Sequence, residues 1–187
     1  MQTRFLIITG MSGAGKTQVV RTLEDLKYFC IDNLPAALIP KFAELCRQTS
    51  EKNVALVVDV RGGQFFDKLL QVLDEIKASG QKYELLFLDA DDATIVRRFK
   101  ETRRRHPLGD SETLLDNLAK ERELLEPLLE KATYVINTSE LNSSELKNKI
   151  SELFSTDTER ERMGIVVRSF GFKYGLPLDS DLVLDVR

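Results

Sequence analysis

A continuous apolar run that ends in a glycine-rich loop constrains the fold more than any other feature of this sequence. The run Arg4-Phe-Leu-Ile-Ile-Thr9 is followed at once by Gly10-Met-Ser-Gly-Ala-Gly-Lys-Thr17, and then by a stretch compatible with a helix as far as Leu26. An apolar run without alternation is typical of a strand buried on both faces. The order strand, glycine loop, helix therefore predicts that the chain opens with a buried strand of an α/β fold.

The loop has the spacing of a phosphate-binding loop, because four residues separate its first and last glycines and a Lys-Thr pair follows. Glycines let successive N–H groups turn toward phosphate oxygens, and the next helix adds its positive N-terminus. We expect the catalytic Lys16 to reach the β- and γ-phosphates, and the Thr17 hydroxyl to ligate Mg²⁺. The alternative is a strand-to-helix turn with an incidental Lys-Thr. Eight residues are thus predicted to contact a nucleotide, namely Gly10, Met11, Ser12, Gly13, Ala14, Gly15, Lys16 and Thr17.

Strand and helix patterns alternate through the first 155 residues. Further strands are predicted at 27–31, 53–59, 83–89 and 132–137, and helices at 36–45, 64–79, 91–105, 111–131 and 142–154. Right-handed crossovers place helices on both faces of a parallel sheet. The alternation therefore predicts an α/β fold of the P-loop NTPase type, with three α/β/α layers and a five-stranded parallel sheet.

A magnesium ion also needs a carboxylate, and two aspartates follow apolar strands. Asp59 opens an Asp-x-x-Gly sequence that resembles a Walker B strand end and the γ-phosphate-sensing turn of GTPases. We predict that Asp59 is a metal ligand and catalytic residue, and Asp89 is the less favoured ligand; a helix N-cap is the alternative role for Asp59. The predicted nucleotide contacts in this turn are Asp59, Val60, Arg61 and Gly62. No Asn-Lys-x-Asp sequence occurs, so ATP and GTP are not distinguished.

Residues 97–108 carry six positive side chains and one glutamate, in a chain whose net charge is −3. Guanidinium groups bind phosphate bidentately and can stabilise charge during phosphoryl transfer. The segment resembles the lid arm of adenylate- and shikimate-kinase-like proteins, which runs into Arg-x-Pro-Leu. We predict a kinase-like, arginine-rich lid in which Arg103 and Arg104 are catalytic and Arg105 contacts a second substrate. A solvated helix face and RNA phosphate binding are the alternatives.

Asp32 and Asn33 follow the second predicted strand, at the sheet edge where ligands of parallel sheets gather. In small-molecule kinases an acidic residue there contacts the phosphoryl acceptor. Asp32 is therefore a candidate base or second-substrate ligand, although an Asx turn or a helix cap explains it equally well. We expect His106, the only histidine, to be a contact within the lid rather than a general base.

The composition and the lengths of the apolar runs exclude several classes of protein. No apolar run approaches the ~18 residues that a membrane span needs, and the first run is too short for a signal peptide. A cytoplasmic protein without a membrane partner is expected. Cys30 and Cys46 lack metal or redox spacing, which predicts reduced core thiols. The negative net charge gives no overall attraction to nucleic acid.

The alternation of strands and helices stops after residue 154. Two strand-like runs, at 164–170 and 181–187, flank a glycine-rich turn without a helix between them. The second run ends the sequence, an unusual place for a complete domain to stop. We predict a nucleotide-binding domain at 1–155, a linker at 156–162, and the start of an incomplete C-terminal domain at 163–187.

Five motifs together resemble the RapZ/YvcJ family of bacterial nucleotide-binding proteins, and the resemblance runs from the first strand to the last residue. The motifs are the glycine loop at 10–17, Glu24-Asp-Leu-Lys-Tyr-Phe-Cys-Ile-Asp-Asn-Leu-Pro35, Leu88-Asp-Ala-Asp91, Glu101-Thr-Arg-Arg-Arg-His-Pro-Leu108, and Ser169-Phe-Gly-Phe-Lys-Tyr-Gly-Leu-Pro177 followed by Asp185-Val-Arg187.

The resemblance implies a regulatory, kinase-like P-loop domain that binds ATP and GTP with Mg²⁺ through residues 10–17 and 59–62, and hydrolyses them slowly. Enterobacterial members are adapters that bind small regulatory RNAs and a ribonuclease, and their RNA and sugar-phosphate binding is associated with the C-terminal domain. RNA or protein partners are therefore expected mainly through a domain that this chain lacks in large part. A small-molecule kinase and an RNA-binding adapter remain the alternatives, and the oligomeric state stays open.

Overall fold

The structure is a computed structural model that describes residues 4–48, 53–58, 63–80, 82–103, 106–109, 113–155, 167–171, 173, 175–177 and 180–185, without the side chains of 47–48 and 63–68. Within these residues one parallel sheet contains five strands, β1 (Arg4–Gly10), β2 (Phe29–Asp32), β3 (Asn53–Val57), β4 (Glu84–Asp89) and β5 (Tyr134–Asn137). The predicted five-stranded parallel sheet is confirmed.

Helices cover the sheet in a three-layer α/β/α arrangement. They are α1 (Lys16–Asp25), a 3₁₀ turn (Ala36–Leu38) that continues into α2 (Ile39–Gln48), α3 (Gly63–Ala78), α4 (Asp92–Thr102), α5 (Leu114–Glu130) and α6 (Ser143–Phe154). Helix α1 packs against α6, while α3 contacts α2 and α5, and α4 packs on α5. In the described part of the chain, each helix is too short or too polar to cross a membrane.

Strand β1 lies at the centre of the sheet, whose order is β2-β3-β1-β4-β5. Its residues Phe5, Leu6, Ile7 and Ile8 are at most 1% exposed, because strands flank it on both sides and helices cover both faces. After β1 the chain forms β2 at one edge of the sheet and then β3 between β2 and β1, and it crosses afterwards to β4 on the other side of β1. The carboxyl end of β1 is thus the switch point where ligands of such sheets bind.

Side-chain caps fix the starts of several helices. The Asp91 carboxylate accepts a hydrogen bond from the Thr94 N–H at 2.6 Å, and this bond holds the pKa of Asp91 below its usual value. Asn142 and Glu145 form the capping box predicted for α6. Helix α5 begins later than predicted, because Thr113 caps it through a second capping box.

The prediction of a helix through residue 105 is wrong at its C-terminal end. Helix α4 stops at Thr102, because Arg103 adopts the left-handed conformation, with φ +51°. A residue in that conformation cannot continue a right-handed helix. Arg104 and Arg105 lie outside the described residues.

The two strands predicted at 164–170 and 181–187 are not formed in the described residues of those segments. Val167 and Leu182 are 90% and 77% exposed. An extended segment that pairs with no neighbouring strand gains no ladder hydrogen bonds, so apolar alternation alone does not make it a strand. The proposed linker at 156–162 lies outside the described residues, and the domain boundary stays a prediction.

Both cysteines are reduced thiols within the fold, as predicted. Cys46 is buried, and Cys30 is half-buried beside the Val20 carbonyl. Burial, followed by the charge of Glu24, raises the pKa of Cys30 to about 11. This thiol is consequently protonated at neutral pH and is a poor nucleophile.

Candidate functional site

The glycine loop (residues 10–17) is closed against β4 by backbone contacts. Gly10, Gly13 and Gly15 have φ angles of +130°, +84° and +103°, which other residues adopt only with strain. Gly10 meets a second constraint, because a Cβ there would lie 2.0 Å from the carbonyl oxygen of Leu88. The Met11 N–H donates to the same Leu88 oxygen at 2.9 Å. Only glycine fits at position 10.

Two of the predicted contact residues form the inner wall of the loop. The side chains of Met11 and Ala14 are buried in the core, at 1% and 0% exposure. The Ala14 N–H donates to the Met11 carbonyl at 3.1 Å, which closes a turn inside the loop. These two residues therefore shape the loop rather than present side chains to a ligand.

Three other backbone amides of the loop have no hydrogen-bond acceptor among the described residues. In the part of the chain that the structure describes, no protein group accepts a hydrogen bond from the N–H of Gly13, Gly15 or Thr17. Thr17 lies in the first turn of α1, where N–H groups have no partner within the helix. That turn contains no acidic residue, so the partial positive charge of the helix is not offset there. The arrangement suits an anion.

Lys16 reaches back across the loop. Its Nζ donates to the carbonyl of Gly10 at 2.7 Å and to that of Met11 at 3.2 Å. The exposed Thr17 follows it, and both residues line a cleft of about 600 Å³. The sequence predicted that both residues contact the nucleotide, and the structure places both in the lining of this cleft.

The cleft extends from the glycine loop to the end of β2. Asp32 and Asn33 line it there, and Asn33 adopts the left-handed conformation with φ +61°. The end of α4 supplies a third side, through Glu101 and Thr102. The structure thus brings Asp32 to the same cleft as Lys16.

Arg98 binds backbone carbonyls that hold the glycine loop, a role that the sequence did not reveal. Its guanidinium donates to the Gly13 carbonyl at 3.0 Å, and to the hydroxyl and carbonyl of Thr138 at 3.0 and 2.7 Å. The Thr138 hydroxyl in turn donates to the carbonyl of Ala14 at 2.9 Å. Burial, and then the charge of Arg97, lower the pKa of Arg98 from its usual value. It stays a cation at neutral pH, fixes the loop carbonyls and is also one of the residues that line the cleft.

Asp89 is engaged in a structural ion pair. Arg122 of α5 donates to its carboxylate at 2.9 Å and also bonds the Ala90 carbonyl and Asp92. Hydrogen bonds to Asp92 and Asp89 raise the pKa of Arg122 against the opposing effect of burial. The ranking of Asp59 above Asp89 as a metal ligand stays a prediction.

A buried carboxylate lies directly behind the glycine loop. Glu121 of α5 is 2% exposed and accepts hydrogen bonds from the N–H and hydroxyl of Ser12, at 3.1 and 2.7 Å to one oxygen. Its other oxygen lies 3.1 Å from Nε2 of the buried His106. His106 is therefore a structural contact of the loop. Glu121 stands in an ordinary helical pattern, and nothing in the sequence marks it.

Several predicted site residues lie outside the described residues, namely Asp59, Val60, Arg61, Gly62, Arg104 and Arg105. Arg103 is described as exposed and directly follows the α4 residues that line the cleft. Among the described positions, no group of three or more acidic, histidine or cysteine side chains could hold a metal ion.

A glycine loop of this shape after the central strand of a five-stranded parallel sheet defines a P-loop domain of the kinase-like class. Its fold is similar to that of shikimate kinase from Bacteroides thetaiotaomicron, with a TM-score of 0.55 and 19% identity over 80% of this chain and 96% of the other. It is equally similar, at 22% identity, to shikimate kinase from Acinetobacter baumannii in complex with shikimate, over 81% and 92% of the two chains. These likenesses establish the fold.

The chain belongs to the family of RapZ-like N-terminal domains, whose family model matches residues 3–158. It is 54% identical over 187 residues to a nucleotide-binding protein of Clostridium botulinum (strain Loch Maree / Type A3), and likewise 54% identical to one of Desulforudis audaxviator (strain MP104C). The matches cover 98% and 99% of this chain and 64% of each relative. The chain thus spans less than two thirds of the length of these relatives, and the resemblance seen in the motifs is confirmed.

The contact between Gly10 and β4 gives a direct test of the loop geometry. We expect Gly10→Ala to lower the free energy of unfolding by at least about 2 kcal/mol, because it adds a backbone clash to an unfavourable φ. Gly80→Ala is the matched control, since Gly80 also has a positive φ, of +76°, but open space around a Cβ. It should cost about 1 kcal/mol. Urea unfolding of the two variants measures the difference, and equal losses would contradict the close approach at Gly10.

Proposed function

We propose that this protein binds ATP and GTP, each with Mg²⁺, on the glycine loop and hydrolyses them slowly to the diphosphate and phosphate. The observation that carries the proposal is that the amides of Gly13, Gly15 and Thr17, which line the cleft beside Lys16, have no hydrogen-bond acceptor among the described residues. The kinase-like fold and the relatives named nucleotide-binding proteins support it.

The position of Lys16 suits a triphosphate. A phosphate group in the cleft would offer its ammonium anionic oxygens in place of the neutral carbonyls of Gly10 and Met11. Hydrogen bonds between charged partners are roughly twice as strong as neutral ones. Lys16 would therefore exchange its contacts within the loop for the β- and γ-phosphates at a net gain.

The donor set fits magnesium in part. The Thr17 hydroxyl is exposed in the cleft and is not used as a helix cap, and such oxygens are ligands that Mg²⁺ accepts. We propose that Asp59 supplies the carboxylate. When bound, the ion would neutralise charge on the β- and γ-phosphate oxygens.

Slow hydrolysis follows from the arginines in this proposal. Arg103 and Arg104 would stabilise the charge that develops on the transferred phosphoryl group. Arg103 lies outside the lining of the cleft, so it must change position before it contacts a phosphate. Until the arginine moves, the charge of the transition state is not stabilised, so the nucleotide binds but is hydrolysed slowly.

Lys16 gives the first test of the proposal. We expect Lys16→Ala to weaken the binding of ATP and of GTP by at least about a hundredfold, because it removes the cation that meets the phosphates. Isothermal titration calorimetry with each nucleotide and Mg²⁺ measures this loss. Lys41→Ala is the control, since it removes the same charge from an exposed ion pair with Glu44. Undiminished affinity in the Lys16 variant would refute the site.

Asp59 gives the second test. We expect Asp59→Asn to lower the hydrolysis rate at least about tenfold while changing nucleotide affinity less than about threefold, because the metal acts mainly on the developing charge. Phosphate release and calorimetry measure the two quantities. Asp89→Asn should instead lower stability through its lost pair with Arg122. An unchanged hydrolysis rate in the Asp59 variant would move the metal-ligand assignment to Asp89.

Phosphoryl transfer to a metabolite is the second candidate function, and the extension of the cleft to Asp32 favours it. A carboxylate beside the acceptor could take the hydroxyl proton as a general base. Incubation of the protein with γ-phosphate-labelled ATP and a metabolite extract separates the two functions. A labelled organic product that Asp32→Asn no longer forms would establish transfer, whereas label in inorganic phosphate alone would leave hydrolysis as the reaction.

A further inference from the structure

Helix α5 holds both the glycine loop and a separate turn at 106–109. Glu121 bonds the backbone N–H and the hydroxyl of Ser12 in the loop, and His106 in the turn. One helical turn earlier, the Asn117 side chain donates to the Gly109 carbonyl at 3.0 Å. The two ends of the turn are therefore fixed to neighbouring positions of one helix.

The hydrogen bonds of His106 assign its tautomer. The Leu108 N–H donates to His106 Nδ1 at 3.3 Å, so Nδ1 must be an acceptor. The hydrogen then lies on Nε2, which donates to the Glu121 carboxylate. One carboxylate oxygen thus accepts from the Ser12 hydroxyl and the other from His106, while the Ser12 N–H lies within hydrogen-bond distance of both, at 3.1 and 3.2 Å. Donors on both sides offset the cost of burying it.

The same corner of the molecule contacts the loop a second time. The Phe99 ring lies under Gly13, where a Cβ would be 3.3 Å from it, and its centre is 5.5 Å from that of His106. Any movement of Ser12 and Gly13 therefore displaces groups that also hold the turn. In the sequence, the arginine run at 103–105 leads directly into His106.

We propose that Glu121 is a positioning residue that couples the glycine loop to the 106–109 turn, so that a nucleotide on the loop changes the turn at the end of the arginine run. The proposal rests on the proposed nucleotide binding for its ligand. Its physical basis is one carboxylate that accepts hydrogen bonds from both elements.

Glu121→Met tests the coupling. Methionine has nearly the volume of glutamate but no oxygen, so both Ser12 and the N–H of His106 lose their acceptor. The histidine cannot change tautomer in response, because its Nδ1 accepts from Leu108. The link between the loop and the turn should therefore break. Glu126→Met, on the exposed face of α5, is the matched control.

Amide hydrogen exchange measured by NMR on the full chain reads both ends of the link. We expect Glu121→Met to speed exchange of the Leu108 amide at least about tenfold, and Glu126→Met to leave it unchanged. Unchanged Leu108 exchange in the Glu121 variant would overturn the proposal.

Addition of Mg·ADP then tests transmission. In the wild type we expect saturating Mg·ADP to change Leu108 exchange; in Glu121→Met, also at saturating Mg·ADP, that change should disappear. An equal change in both proteins would overturn the coupling.

A double-mutant cycle keeps the two proposals distinguishable. If the wild type does not bind Mg·ADP, the proposed function fails, and the link is judged by Ser12→Ala and His106→Phe in urea unfolding. If the two sites were independent, the double variant would change the unfolding equilibrium constant by the product of the two single changes. We expect the measured constant to differ from that product at least about fivefold. Agreement with the product would overturn the link.

Discussion

The candidate site depends on a close backbone approach at the carboxyl end of β1. Gly10 lies against the Leu88 backbone of β4, and the Met11 N–H closes on the Leu88 oxygen. Because β1 is the central strand, this contact fixes the start of the glycine loop on the buried middle of the sheet. The direction of α1, and with it Lys16 and Thr17, follows from the turn made there.

Polar groups behind the loop determine what its front can do. Arg98 and Thr138 bind the loop carbonyls, and Glu121 binds the Ser12 N–H. These contacts hold the loop in place, while Gly13, Gly15 and Thr17, whose amides have no acceptor among the described residues, line the cleft together. Such preorganised donors need little rearrangement to meet an anion, which is why electrostatic sites of this kind are effective.

The parts of the molecule that follow from local chemistry could be predicted. Glycine spacing in the loop, apolar runs in β1 to β5 and the Asn142 cap each carry their own signal, and the structure confirms them. Glu121 and Arg98 carry no local signal, because their roles arise from contacts 109 and 85 residues away in the sequence. The end of α4 at Thr102 was missed because the left-handed turn at Arg103 involves a residue type that normally continues helices.

The central claim is that the front of the glycine loop binds the phosphates of a nucleotide. An NMR titration of the protein with Mg²⁺ and a non-hydrolysable ATP analogue tests it most directly, since N–H groups that bond phosphate oxygens shift strongly downfield. The account predicts that the Gly13, Gly15 and Thr17 amides show the largest downfield shifts, and that the amide of the exposed Gly80, two residues after the end of α3, shows none. Saturating binding that leaves these three loop amides unshifted would contradict it.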